Sequence, residues 1–184
     1  TRARANTLRE FLTNSKQVNK FNHQELKDVF DLCLSCKACA SECPSNVDVA
    51  ALKSEFLYQY QEKNGYSFRN TMFANNVKYN KIGSLVPGLT NLVLNTYLTK
   101  FIMGISLKRS VPKLTPKTLK SWYKKQIHSS SQKNVYVFCD EFTNFYDTEI
   151  GKDTITVLKK LGYNPTFIDH MESGRSFISK GFLK

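Results

Sequence analysis

Four cysteines fall within one short stretch, and their spacing is the most chemically specific feature of the sequence. Cys33-Leu34-Ser35-Cys36-Lys37-Ala38-Cys39-Ala40-Ser41-Glu42-Cys43-Pro44 reads C-x2-C-x2-C-x3-C-P, the arrangement with which bacterial ferredoxins hold a [4Fe–4S] cluster. The reason is geometric. Three thiolates spaced two residues apart wrap one compact loop around three iron corners, while small Ser35 and Ala38 let the backbone come close and its amides face sulfur. Pro44 then turns the chain away. Cys33, Cys36, Cys39 and Cys43 are therefore the candidate metal and cofactor ligands. In two-cluster proteins the fourth cysteine of such a run serves the other cluster, so Cys43 can be local or crossed over. Zinc is the competing ion, but its sites usually present two separated pairs. Here there is no second C-x-x-C, and His23, His128 and His170 are scattered. Cys139 closes an apolar run and reads as a small packed hydrophobe. No catalytic triad, glycine-rich phosphate loop or paired carboxylates accompany these residues, so no catalytic residue is assigned.

The elements that must position the cysteines are helices. Arg2 to Leu12 carries Leu8, Phe11 and Leu12 at helical spacing. Asn22 with Glu25 three residues on resembles a capping box opening a second helix, whose stripe is Leu26, Val29 and Phe30. After the cysteine run, Asn46 or Asp48 can cap a third helix bearing Val49, Leu52, Phe56, Leu57 and Tyr60 and ending near Gly65. Leu89 to Leu107 predicts an amphipathic helix or helix pair interrupted near Gly104. Pro112 and Pro116 bracket a basic stretch, a short helical pattern runs through Trp122, and Ser129 to Gln132 reads as a linker. Beyond it, Val135 to Cys139, Ile150 to Leu161 and Thr166 to Ile168 predict strand, helix and strand, a βαβ unit that begins a parallel sheet.

The 184 residues are 41% hydrophobic and 23% charged, ordinary globular values. Five cysteines so clustered do not make a secreted disulfide scaffold, and no signal peptide or membrane span is legible. A cytoplasmic protein, or one at the cytoplasmic face of the inner membrane, is the expectation. The net charge of +12 is unevenly spread: from Lys63 to Cys139 there are thirteen basic residues and no acidic one. That segment reads first as a solvated face, next as a peripheral membrane contact, and least as a nucleic-acid site, since no reading motif accompanies it. The sequence starts at Thr1 and stops in patterned sequence, so a fragment of a longer protein is expected.

Two stretches carry a family resemblance: Thr1-Arg2-Ala3-Arg4-Ala5-Asn6-Thr7-Leu8-Arg9, and the cysteine run continued by Ser45-Asn46-Val47-Asp48-Val49-Ala50. Together they resemble the iron–sulfur region of the large FAD-linked D-2-hydroxyacid dehydrogenases, the D-lactate dehydrogenase and glycolate oxidase-like proteins. The resemblance extends over essentially the whole chain. It implies an upstream FAD domain in the same polypeptide, a first cysteine group upstream, and an external electron acceptor such as a quinone or cytochrome. Two departures stand out. Ala3 replaces a usual glycine, and Glu172-Ser173-Gly174-Arg175 stands where related cysteine-rich domains carry Cys-Cys-Gly, so no second centre is assigned there.

The expected fold is α+β: a helical ferredoxin-like [4Fe–4S] domain over residues 1–80, a basic helical connector over 81–132, and the truncated start of an α/β (βαβ) cysteine-rich-type domain over 133–184. The expected function is an electron-transfer module that passes electrons from flavin through 4Fe–4S clusters to an acceptor. The alternatives are an iron–sulfur subunit of another respiratory or disulfide-reducing complex, and a zinc-stabilised basic module that binds nucleic acid.

Overall fold

The computed structural model describes residues 2–126 and 133–184. The expected linker at Ser129 to Gln132 lies outside the described residues. The elements in chain order are α1 (Arg2–Asn14), α2 (Gln24–Asp31), α3 (Ala38–Glu42), α4 (Val49–Asn64), α5 (Phe68–Ala74), α6 (Asn76–Gly83), α7 (Pro87–Leu94), α8 (Tyr97–Ile102), α9 (Leu119–Tyr123), β1 (Lys133–Val137), α10 (Glu141–Phe145), α11 (Thr148–Lys160), β2 (Tyr163–Phe167) and α12 (Arg175–Ser179). The chain is a helix-rich α+β protein with a two-stranded parallel sheet among the described residues. It divides into two compact units, Thr1–Asn75 with Gly174–Lys184, and Asn76–Ser173.

In the first unit, α1, α2 and α4 turn their apolar stripes onto one core. Leu8 comes from α1, Leu26 and Phe30 from α2, and Val49, Phe56 and Leu57 from α4. Phe30 and Phe56 stack with centroids 5.1 Å apart and planes 20° from parallel. Two sequence expectations are corrected here. Helix α2 starts at Gln24, with His23 in the cap position and no side-chain cap. Asn22 cannot serve, because its Oδ1 accepts a 2.7 Å hydrogen bond from Asn64 at the far end of α4. Leu52 belongs to the rim of α4 and is 36% exposed, while Lys53 takes a buried place on the stripe at 9%. Asp48 does cap α4, accepting from the Ala51 amide at 3.0 Å, and Gly65 closes it.

The returning C-terminal segment packs on α4 through Gly181. Its φ of +71° is a backbone conformation that side chains resist, and an added Cβ would lie 2.6 Å from Leu57 Cβ and 2.8 Å from the Tyr58 nitrogen. Gln61 Nε2 donates 2.8 Å to the Lys180 carbonyl next to it. Gly181→Ala should therefore cost about 2–4 kcal/mol from overpacking plus left-handed strain. Chemical denaturation measures this. A loss below half a kilocalorie would mean the segment is not seated as described.

The second unit contains the predicted βαβ. Strands β1 and β2 pair in parallel with Lys133 opposite Tyr163 and Val137 opposite Phe167, joined through α10 and α11. The second strand starts at Tyr163, earlier than expected, and runs through Pro165. Both strands of a two-stranded sheet are edges, where proline is tolerated. Leu119 crosses so close to α11 that a Cβ on Gly151 would stand 2.1 Å from its Cδ2. The apolar stretch after Leu89 breaks at Asn95 and Thr96. Gly104 lies beyond the end of α8. Thr96 caps α8 by accepting from the Thr99 amide, so a hydroxyl competing with the helix backbone ends α7 first.

Cys139 is buried, 4% exposed, just past β1. Burial pushes its thiol from the ordinary value of 9.0 up to about 11, with nearby Lys120 opposing and Asp140 assisting. A native state that holds this proton longer than the unfolded chain loses stability as pH rises from about 9 through about 11. In the metal-free chain, a thiol reagent at pH 8 should label four cysteines fast and Cys139 only on unfolding. Five equal labelling rates would contradict the burial.

Candidate metal centre

The cysteine loop leaves α2 and enters α4, and both helices anchor it. The loop needs two left-handed residues, Ser35 with φ 55° and Lys37 with φ 61°, to curl before the short α3, and a third, Asn46 with φ 51°, to curl after Pro44. Its four thiols are free, with Cys36 exposed and the others half-buried. Cys33 and Cys39 abut the core of the first unit, so two of the four sulfurs rest on the Phe30 and Phe56 platform side of the molecule.

Backbone amides point at the sulfurs. The Val49 amide, at the first turn of α4, donates to Cys39 Sγ at 3.2 Å. This places the positive end of a sixteen-residue helix against that thiol. The amides of Val47 and then Ser45 donate to the Cys43 sulfur and hold its pKa below the usual thiol range, outweighing the opposing effect of burial. Thiolate is the form that binds metal, so these donors prepare the loop for it. Amide donation to cluster sulfur is also how protein backbones stabilise an iron–sulfur group. The donor set and its amide shell fit a [4Fe–4S] cluster. Among the described residues, no three His, Cys, Asp or Glu side chains converge on a point where a single ion could sit.

Two cations clamp the loop from behind. Arg4 of α1 donates from its guanidinium to the Leu32 carbonyl at 2.9 Å, and Lys53 of α4 donates to the Cys33 carbonyl at 2.6 Å. Burial lowers the Lys53 pKa from its ordinary value, while Cys33 and Asp31 pull it back up. Lys53 was not singled out by sequence reasoning. The available signal was a lysine at a stripe position, between Val49 and Phe56, where the helix should have been apolar.

At the other departure from the family pattern, the substituted residues find partners in the second unit. Ser173 Oγ donates to Glu141, and the Glu172 carboxylate stands 3.5 Å from Lys81 Nζ.

A helical, amide-lined loop with this cysteine spacing is the kind of site that holds an iron–sulfur cluster. In agreement, the family profile described as a 4Fe-4S dicluster domain matches residues 1–48. Nearly the whole chain is similar to D-2-hydroxyglutarate dehydrogenases: 30% identical to that of Pantoea ananatis over 89% of this chain, 29% to that of Escherichia coli over 92%, and 28% to that of Haemophilus influenzae over 89%. The chain spans only 17–18% of the length of these relatives. No solved structure matches it significantly. The chain is thus similar to D-2-hydroxyglutarate dehydrogenases, in keeping with the resemblance carried by the two motif stretches.

Proposed function

We propose that this chain is the electron-transfer module of an FAD-linked D-2-hydroxyacid dehydrogenase, with 2-hydroxyglutarate as the substrate class. The observation that carries the reading is the Cys33 to Pro44 run folded with amides of Val49, Val47 and Ser45 aimed at its sulfurs. Cys33, Cys36 and Cys39 hold irons of the local 4Fe–4S cluster, and Cys43 reaches a second one. The chemistry such a cluster supplies when bound is one-electron transfer, from flavin in the same polypeptide toward an external quinone or cytochrome. This chain's own residues bind and orient the group: the loop amides offset thiolate charge, Arg4 and Lys53 fix the loop backbone, and the core under Cys33 and Cys39 keeps water from that side. A reducing cytoplasmic compartment suits a chain whose five cysteines form no disulfide. No helix among the described residues is long and apolar enough to cross a membrane.

The test is anaerobic purification of the full-length protein with iron, sulfide and flavin analysis, then reduction by D-2-hydroxyglutarate. Expected are iron and sulfide in equal amounts and substrate-dependent bleaching of both flavin and cluster absorbance. Zinc in place of iron would refute the proposal, and D-lactate as the only reductant would refute the substrate class.

Lys53 supplies a sharper check. Lys53→Gln keeps a donor for the Cys33 carbonyl but removes a positive charge beside the thiolates, so the cluster should become harder to reduce, by some tens of millivolts. Lys53→Met also loses the hydrogen bond and should cost about 1–3 kcal/mol of stability. A potentiometric titration that leaves the Lys53→Gln midpoint unmoved would show that the lysine is only structural.

A further inference from the structure

Helix α7 is built inside out for a helix in water. Its polar side chains face the protein. Thr90 Oγ1 donates to the Gly83 carbonyl at 3.0 Å, and Asn91 grips the Leu114 backbone twice, donating to its carbonyl at 2.9 Å and accepting from its amide at 2.8 Å. Asn95 accepts from the Val111 amide at 3.1 Å. These are the groups that a surface helix would normally turn to solvent. Leu89 and Leu92 stand outward instead, at 60% and 68% exposure, continued by Leu85 in the preceding turn. On α8 the rings of Tyr97 and Phe101 lie nearly parallel, 6.5 Å apart, and both are about two-thirds exposed beside Leu98. The inverted polarity is held by specific hydrogen bonds, so the apolar face is an architectural feature of this unit and not a loosely packed edge.

The charge around this face selects its occupant. Lys78, Lys108, Arg109 and Lys113 are exposed within the same sequence segment, and no acidic residue occurs between Lys63 and Cys139. An apolar face with aromatic rings, flanked along the chain by cations, matches an interface of acyl chains beneath anionic headgroups. A nucleic acid would use the cations but leave the exposed leucines in water. A second copy of the chain would bring like charge against like. We infer that α7 and α8 form a peripheral docking face for an anionic lipid surface, lying in its plane with Leu89, Leu92 and Phe101 inserted among the acyl chains. The inference is independent of which metal the cysteines hold. For a module that delivers electrons to a lipid-dissolved acceptor, such docking would shorten the path.

Vesicle flotation of the full-length protein tests it. With phosphatidylglycerol-containing vesicles the protein should float, and with pure phosphatidylcholine it should float at least tenfold less. The double variant Leu92→Asp, Phe101→Asp should lose at least tenfold in bound fraction while keeping its melting temperature, because both side chains stand in solvent. The variant Lys108→Glu, Arg109→Glu should bind more weakly and with a flatter dependence on salt. Absence of flotation on anionic vesicles, or undiminished flotation of the apolar double variant, would overturn the proposal. So would a change in the lipid-free oligomeric state of that variant in sedimentation, since another protein face would then be the occupant.

Discussion

Cys39→Ser should empty the local cluster site, with iron at that site falling at least tenfold and the thiolate-to-iron absorbance falling with it. Cys39 is the sulfur most constrained by the fold. It takes the 3.2 Å amide of Val49 at the head of α4 and rests against the core of the first unit. Serine is nearly isosteric, but its hydroxyl stays protonated at neutral pH and is a poor ligand for iron that prefers soft sulfur. The Cys43→Ser substitution separates local from crossed ligation. If Cys43 serves a second cluster, its loss spares the local absorbance and damages the other cluster in the full-length protein. It should then change the cluster content of the isolated chain little, and that chain should reconstitute poorly because one ligand is missing. Loss of a stable four-iron cluster from the isolated chain on Cys43→Ser would show that all four ligands are local. Retention of full iron by Cys39→Ser would remove the cysteine run from the cluster altogether.

Phe56→Ala should be the most damaging substitution outside the cysteines, at about 3–5 kcal/mol. The ring is fully buried and stacks on Phe30 at 5.1 Å, with Phe21 at 6.4 Å and Tyr60 at 5.8 Å. Such a cost is a large share of the roughly 5–15 kcal/mol that keeps a domain folded. Because Cys33 and Cys39 pack on this same core, the cavity should also loosen the loop and lower iron retention. Leu52→Ala, on the rim of the same helix, should cost less than about 1 kcal/mol. Thermal unfolding followed by circular dichroism, with iron measured on the same samples, decides between them. Equal costs at positions 52 and 56 would mean that the core does not lie on the face described.

Much of the candidate metal centre was legible because its chemistry is local in sequence. The C-x2-C-x2-C-x3-C-P spacing picks out the proposed ligands without any long-range contact, and Asp48 caps α4 using an amide three residues away. Helical periodicity likewise located the α2 and α4 faces, and the change of period located β1, α11 and β2. The similarity to D-2-hydroxyglutarate dehydrogenases is why the proposed substrate class differs from the lactate and glycolate examples implied by the resemblance.

What tertiary structure alone decided are the places where one polar group had two partners to choose from. Asn22 could cap α2 through its neighbours, yet it binds Asn64 of α4, and the helix starts later. Lys53 sits where the stripe asks for an apolar residue, because a carbonyl at Cys33, twenty positions earlier, is there to receive its ammonium. Thr90, Asn91 and Asn95 would face water on pattern alone, and they turn inward because Gly83, Leu114 and Val111 offer them backbone partners. A buried hydrogen-bonding group must be satisfied, and folding decides which distant partner satisfies it. Periodicity and spacing report only neighbours along the chain. The cysteine spacing therefore determined which thiols share one loop, while the folded chain decided which charges hold that loop and which side of α7 and α8 meets the outside.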